Sequence, residues 1–222
     1  CWLGCSSLLE LYLRCGAEPS LRATVPVRVD PGRTEQDEPR LLGNDSTPLS
    51  EALNRWPADP EVTNLAPAHL QQRIERWQQL LQPAVNDGVY RCGFARNQSA
   101  YNRASVAMVN ALDEVERSLE RDGPWLCGTT LTLADVRLFP TLIRWETVYA
   151  PLFGCSARPL WMLPELWKWR QRFMALPGVE ITCDAEAWRS DYFGALFPLN
   201  PGGIVPDAPK LSTLVNSTIP LP

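Results

Sequence analysis

The chain has 222 residues, 45% of them apolar and 21% charged, with a formal net charge of −4. That length and apolar fraction allow one or two domains with an ordinary hydrophobic core. Acids and bases are interspersed and no apolar run approaches bilayer-spanning length, so neither nucleic acid nor a membrane is an expected partner. Ser7–Cys15 reads as a short helix that Gly16 and Pro19 end. From Ala23 to Val29, Val25, Val27 and Val29 alternate on one side, which predicts a strand; Pro26 inside it demands an edge or a special peptide bond. After the polar turn Asp30–Pro39, Arg40–Leu42 is a second short strand. Asn44–Pro48 then opens a helix through Trp56, capped by Ser46 or Thr47.

Residues 57–66 form a linker rich in Pro, Asp and Asn. Pro67 opens a helix with Leu70, Ile74, Trp77 and Leu81 at helical spacing. Asn86–Ala95 is glycine-punctuated and aromatic, and unusually apolar for a connector. Residues 99–121 predict a long helix with Ala104, Met108, Ala111, Leu112, Val115 and Leu119 on its core face, stopped by Asp122-Gly123-Pro124. The charged run Asp113–Arg121 reads as its solvated face.

The stretch Leu131–Trp145 organises the rest. Thr132 caps a helix, Asp135 stands three residues on where a carboxylate reaches back to the cap, and Leu131 and Val136 are spaced for a hydrophobic staple. Arg137, Thr141 and Arg144 fall on one narrow wet stripe and nearly everything else is apolar, so this is a central core helix with Asp135 on its inner side. Pro140 removes a backbone hydrogen bond and predicts a kink. Arg144 with Glu146 reads as a structural ion pair. Tyr149–Pro159 is an expected loop, and Pro164 opens a helix carrying Trp167, Trp169 and Phe173 that ends at Leu176–Val179. Residues 184–197 suggest one more helix. Beyond Asn200–Pro206 there is little periodicity, and the last dozen residues read as mobile.

The seven cysteines (Cys1, Cys5, Cys15, Cys92, Cys127, Cys155 and Cys183) form no Cys-x-x-Cys pair, and His69 is the one histidine. No metal site is expected, and a reducing cytoplasm fits better than a secreted disulfide scaffold. No signal-peptide pattern is present. His69 falls on a polar helix face and reads as solvated. Residue 1 is not methionine, and the chain is expected to be a fragment.

Two short strands followed by a capped helix resemble the second half of a thioredoxin-like domain. Trp125-Leu126-Cys127-Gly128 and the following Thr-Leu-Thr-Leu-Ala-Asp resemble the capped core helix of the glutathione transferase C-terminal domain. Four further stretches narrow the likeness: Arg22–Val27 with Asn44-Asp45-Ser46; Gly88–Ala95; Arg144–Tyr149; and Tyr192-Phe193 with Asn200–Ile204. Together they resemble the glutathionyl-hydroquinone reductases, or Xi-class glutathione transferases, over residues 5 to 206.

The resemblance implies a mainly α fold: a helical transferase C-terminal bundle at 67–197, preceded by the C-terminal half of a thioredoxin-like α/β domain at 1–56 and the linker, and followed by an extension at 198–222. The implied activity is glutathione-dependent reduction of aromatic glutathionyl-hydroquinones by a cytoplasmic homodimer. A cysteine thiolate attacks the adduct sulfur, the hydroquinone leaves, and a second glutathione frees the enzyme as oxidised glutathione. Val25 and Pro26, joined by a cis bond, would pair with the cysteinyl backbone of glutathione. Ser46 would hold the γ-glutamyl carboxylate and Asp45 would lie near its amine, where the family usually carries glutamate. Tyr90 and Tyr192 would face the hydroquinone and serve its chemistry, with Tyr101, Tyr149 and Arg144 as weaker contacts.

The family's nucleophile lies in a Cys-Pro-Trp motif that this sequence does not contain. Neither Cys1 nor Cys5 is followed by proline, and neither takes over the role. The expectation is therefore an N-terminally truncated copy, itself inactive, with apolar surface exposed around residues 1–56. A non-catalytic dimerising or ligand-binding module is one alternative, and a general conjugating transferase is another.

Overall fold

Ser7 accepts the Glu10 N–H at 3.1 Å and starts helix α1 (Leu8–Arg14), satisfying one of the donors that a helix start leaves open. The computed structural model in which this is seen describes residues 4–34, 36–56, 63–196 and 199–216. Cys1, residues 57–62 of the expected linker, Phe197 at the end of the expected last helix and residues 217–222 of the expected mobile tail lie outside the described residues. The chain divides into two units, Cys1–Asn64 and Leu65–Pro222.

In the first unit α1 precedes an antiparallel pair of strands, β1 (Arg28–Asp30) and β2 (Arg40–Gly43), with Val29 opposite Leu41. The strand expected over Ala23–Val29 is thus confined to its last residues. Pro26 has no N–H to give to a ladder, and the segment before it is held by side chains instead. Tyr12 donates its hydroxyl to the Thr24 carbonyl at 2.6 Å, and Asn44 Nδ2 donates to Thr24 Oγ1 at 3.2 Å. Helix α2 (Ser46–Asn54) is capped by Asp45, not by Ser46 or Thr47: the Asp45 carboxylate accepts the Thr47 N–H at 2.9 Å. The cap needs extended backbone, which Asp45 has and which leaves Ser46 as the first helical residue. Among the described residues of this unit only Cys5, Tyr12 and Cys15 are buried apolar side chains, whereas Leu42, Leu53 and Trp56 are at least half exposed.

The second unit opens with a 3₁₀ turn (Ala68–Leu70) that carries the exposed His69 and leads into α3 (Gln71–Leu81). Leu70, Ile74, Trp77 and Leu81 are all buried, as their spacing predicts. A π-helical turn (Gln82–Asn86) then runs into α4 (Gly88–Gly93), so the expected connector is helical. Asn97 caps α5 (Gln98–Asp122), accepting the Ala100 N–H at 2.8 Å, and the predicted core face is buried from Met108 to Leu119, with Ala104 half-buried.

The charged run on α5 is only partly a solvated face. Asp113 pairs with Arg158 at 2.8 Å. Glu116 accepts the N–H groups of Glu165 and Leu166 at 3.0 and 2.8 Å, at the start of α8 (Pro164–Met174). A carboxylate is favoured there because the first amides of α8 have no partner within their own helix.

Helix α6 (Leu133–Ile143) carries the expected capping box of Thr132 and Asp135. The Asp135 carboxylate is fully buried and accepts the Leu126 N–H at 2.9 Å, the Thr132 N–H at 3.0 Å and the Trp169 indole N–H at 2.9 Å. The helix continues past the exposed Pro140 and gives way only after Ile143, to a π-helical turn (Trp145–Tyr149) and α7 (Ala150–Phe153). The loop expected from Tyr149 therefore starts only at Gly154. The wet stripe is also interrupted, since Thr141 is buried and donates to Asn86 Oδ1 at 2.8 Å.

The expected Arg144–Glu146 pair does not form. Glu146 faces the core and binds the buried Arg170 of α8 at 2.6 Å. Arg144 lies over the Trp188 ring at 4.4 Å and donates to the Pro140 carbonyl at 2.8 Å. The π-turn points Glu146 inward, where a buried cation needs it more than an outer one does. Asp184 caps α9 (Ala185–Ala195). A short helix α10 (Leu211–Asn216) occupies the start of the expected mobile tail, with Leu214 buried and its carbonyl accepting from Arg170 at 3.4 Å.

Candidate functional site

The candidate residues fall in both units, and each set has its own scaffold. In the first unit the Val25–Pro26 peptide bond is cis and Val25 is 74% exposed. Among the described residues nothing pairs with the Val25 N–H or C=O, so both are free to meet an extended peptide. The Thr24 contacts from Tyr12 and Asn44 hold this backbone in place. Neither residue was singled out from the sequence, although a tyrosine on the inner face of α1 is the kind of side chain that buries its ring and spends its hydroxyl on a carbonyl. Asp45 and Ser46 are exposed at the start of α2. With the Asp45 carboxylate engaged on Thr47, the Ser46 hydroxyl is the side-chain group left for a ligand at this helix start.

In the second unit the tyrosines gather. Tyr90 on α4 and Tyr192 on α9 are 102 residues apart, and their hydroxyls meet at 2.6 Å. Tyr149, at the end of the π-turn, brings its hydroxyl to 3.0 Å from that of Tyr192. Phe153 fills the space between the rings, its centroid 5.3 Å from Tyr90, 5.6 Å from Tyr149 and 6.2 Å from Tyr192. The spacing of Phe153 in the sequence gave no sign of this. Tyr149 is buried, Tyr192 half-buried and Tyr90 39% exposed, so the cluster opens to solvent at Tyr90. Tyr101 stands apart from it, donating its hydroxyl to the Gly154 carbonyl at 2.6 Å.

Burial pushes the Tyr90 phenol up to about 12, reinforced by its hydrogen bond with Tyr192 and partly offset by Tyr149 and the Arg144 charge. Burial also raises Tyr149, with the neighbouring phenols adding to it. Both stay protonated at neutral pH. Three phenols carry three protons, and a chain of two hydrogen bonds uses two of them. One O–H remains for an oxygen presented from outside. The cluster is therefore a hydrogen-bond donor set in an aromatic frame, fitted to a planar ring with oxygen substituents. Among the described residues no group of three or more His, Cys, Asp or Glu side chains is arranged to hold a metal ion, and no helix is long and apolar enough to cross a membrane.

Comparison with known proteins adds to this geometry. The family profile described as glutathione S-transferase, C-terminal domain, matches residues 98–172. Over 210 residues the chain is 32% identical to the glutathionyl-hydroquinone reductase PcpF of Sphingobium chlorophenolicum, covering 93% of this chain and 64% of that protein. The glutathione-bound structure of YqjG, a glutathione transferase homologue from Escherichia coli K-12, superposes with a TM-score of 0.81 at 28% identity, covering 91% of this chain and 65% of the other. A Xi-class glutathione transferase from Natrialba magadii gives 0.83 at 28% identity, covering 91% and 61%. The chain thus spans a little under two thirds of the length of these relatives.

Proposed function

From the premise that this chain is a homologue of the Xi-class glutathione transferases and glutathionyl-hydroquinone reductases, we propose that the complete protein is a glutathione-dependent reductase of aromatic glutathionyl-hydroquinones. The observation that carries this reading is the meeting of Tyr90 and Tyr192, which gives the second unit a protonated phenol cluster able to bind a quinol oxygen. The first unit supplies the thiol-peptide features. Val25 offers its free backbone groups to the cysteinyl residue of glutathione, and Ser46 with the α2 amides takes the γ-glutamyl carboxylate. Asp45 contributes through its cap and its negative charge. Tyr149 steadies Tyr192 from below, and Tyr101 supports the Gly154 turn.

In the reaction a thiolate attacks the sulfur of the glutathionyl adduct, the carbon–sulfur bond breaks, and the hydroquinone carbon takes a proton. A phenol of the cluster gives that proton, or holds the ring oxygen while charge develops there. The mixed disulfide left on the protein is then resolved by a second glutathione. The buried cysteines Cys5, Cys15, Cys92, Cys127 and Cys155 are not placed for the first attack; in this reading the thiolate belongs to a Cys-Pro-Trp segment of the complete protein. A reducing cytoplasm suits the six described cysteines, all of which are free thiols, and the family resemblance carries the expectation of a homodimer.

The test is reduction of glutathionyl-menadiol by the complete protein and by its Tyr192→Phe variant. The variant is expected to lose about a hundredfold in kcat, the scale of a positioned proton donor, with little change in the KM for glutathione. An unchanged kcat removes the role given to Tyr192 and the reading with it.

A further inference from the structure

The stretch Asn200–Ile204 takes no part in the chemistry above, yet it closes against the helix that carries Tyr192. Helix α9 ends at Ala195, and the last carbonyls of a helix have no partner within it. The Asn200 side-chain amide donates to one of them, the Phe193 carbonyl, at 2.8 Å. The Asn200 main-chain N–H donates to the Leu196 carbonyl at 3.0 Å. The same side-chain nitrogen, Nδ2, donates to the Ile204 carbonyl at 2.9 Å. Between these points the chain turns, with the Gly203 N–H on the Asn200 carbonyl at 3.0 Å. Gly203 is left-handed there, at φ 61°, a conformation that glycine adopts without a Cβ penalty. One turn before Phe193, the Arg189 guanidinium donates to the Pro206 carbonyl. Two clamps thus tie α9 to residues 204–206, one on each side of Tyr192. The helix itself buries only Phe193.

We propose that Asn200 is a positioning residue for Tyr192, fixing the end of α9 and so the point at which Tyr192 meets Tyr90 and Tyr149; its effect on the reaction rests on the role given to Tyr192 above. Both partners of Nδ2 are carbonyl oxygens. The position therefore demands two N–H donors on one atom, which the asparagine amide supplies and an aspartate carboxylate cannot. Tyr192 precedes Phe193 directly, so a shift of the Phe193 carbonyl carries Tyr192 with it. Tyr192 is the middle member of the phenol chain, at 2.6 Å from Tyr90 and 3.0 Å from Tyr149. A displacement of about 1 Å takes both contacts out of hydrogen-bond range. Misplacement on that scale costs up to about a hundredfold in rate. Tyr90 and Tyr149 stand on other elements, α4 and the π-turn, and keep their places.

The test is Asn200→Asp, which keeps the shape of the side chain and exchanges its donors for acceptors. Amide hydrogen exchange in α9 should quicken by about tenfold, the equivalent of one lost hydrogen bond, with α5, α6 and α8 unchanged. In the complete protein, kcat for glutathionyl-menadiol should fall by about tenfold to a hundredfold with the KM for glutathione unchanged. Added to Tyr192→Phe, the same substitution should cost less than about twofold more, because the two act through one group. If Asn200→Asp does not fold, Arg189→Met removes the other clamp and carries the same expectations. Exchange in α9 at the parent rate, exchange that quickens equally in α6 and α8, or a kcat loss that multiplies in full onto that of Tyr192→Phe would each overturn the proposal. Should Tyr192→Phe alone leave kcat unchanged while Asn200→Asp still loosens only α9, the reading of the reaction falls and the anchoring of Tyr192 stands.

Discussion

Tyr90 carries its consequence for pH in its surroundings. Free tyrosine ionises at 10.0, and burial together with the Tyr192 contact moves the folded residue to about 12. The folded state therefore holds this proton more tightly than the unfolded state does. By linkage, the stability that this difference contributes is whole below pH 10, declines as pH rises through 12, and is absent beyond. Tyr149 acts in the same direction. We expect urea-denaturation stability to fall between about pH 10 and about pH 12, and Tyr90→Phe to flatten that decline; an equally steep decline in the variant would count against this assignment. Asp135 shows how far residue-level reading reaches. Its reach back to Thr132 follows from the spacing of a capping box, whereas its bonds to Leu126 and Trp169 come from elements 9 and 34 residues away that local spacing does not address. Glu146 likewise left Arg144 for Arg170, a choice set by which cation shares its buried side.

Elements were legible where a periodic pattern and a cap agreed. Helices α1, α3, α5, α6 and α8 stand within a few residues of their expected positions, because each couples an apolar stripe to a start signal. The segment from Asn86 and the one from Tyr149 read as connector and loop, yet the first is largely helical and the second is helical as far as Phe153. Glycine, proline and aromatic residues have low helix propensity, and tertiary packing around Phe153 overrides it. The charge run of α5 is the other instructive case. Glu116 faces the start of α8 and does for that helix what a cap residue would do, across a separation of 49 residues. Glu116→Ala should cost about 1–2 kcal/mol, the scale of a lost charged cap, read as a lower urea midpoint at unchanged slope. Glu120→Ala, on the exposed side of the same helix, should change stability by less than about 0.5 kcal/mol. Equal effects at the two positions would restore the solvated-face reading.

At the scale of the molecule the two units differ in what they bury. The second unit holds one continuous apolar cluster that includes Leu112, Leu126, Leu138, Leu142, Val148 and Trp169. The first has a two-stranded sheet, which by itself is marginal in water, and its larger apolar side chains include the exposed Leu53 at 62% and Trp56 at 67%. Residues 65–222 expressed alone should therefore remain helical and melt cooperatively, with tryptophan fluorescence still blue-shifted by the buried Trp145 and Trp169. A broad, non-cooperative melt would mean that the first unit contributes to the core of the second.

Sequence alone determined what local chemistry can encode: the mainly helical class, the capped central helix and a proline at Val25–Pro26 that demands an edge or a special bond; the candidate tyrosines were pointed to by the family resemblance. Periodicity and capping act over a few residues, so they are written in the order of the chain. Only the tertiary structure decided that Tyr90, Tyr149 and Tyr192 share one hydrogen-bonded cluster while Tyr101 does not, that Asp45 rather than Ser46 caps α2, and that Arg170 takes Glu146. Those outcomes depend on burial, which raises the cost of every unpaired polar group, and burial is set by elements that meet only once the chain has folded.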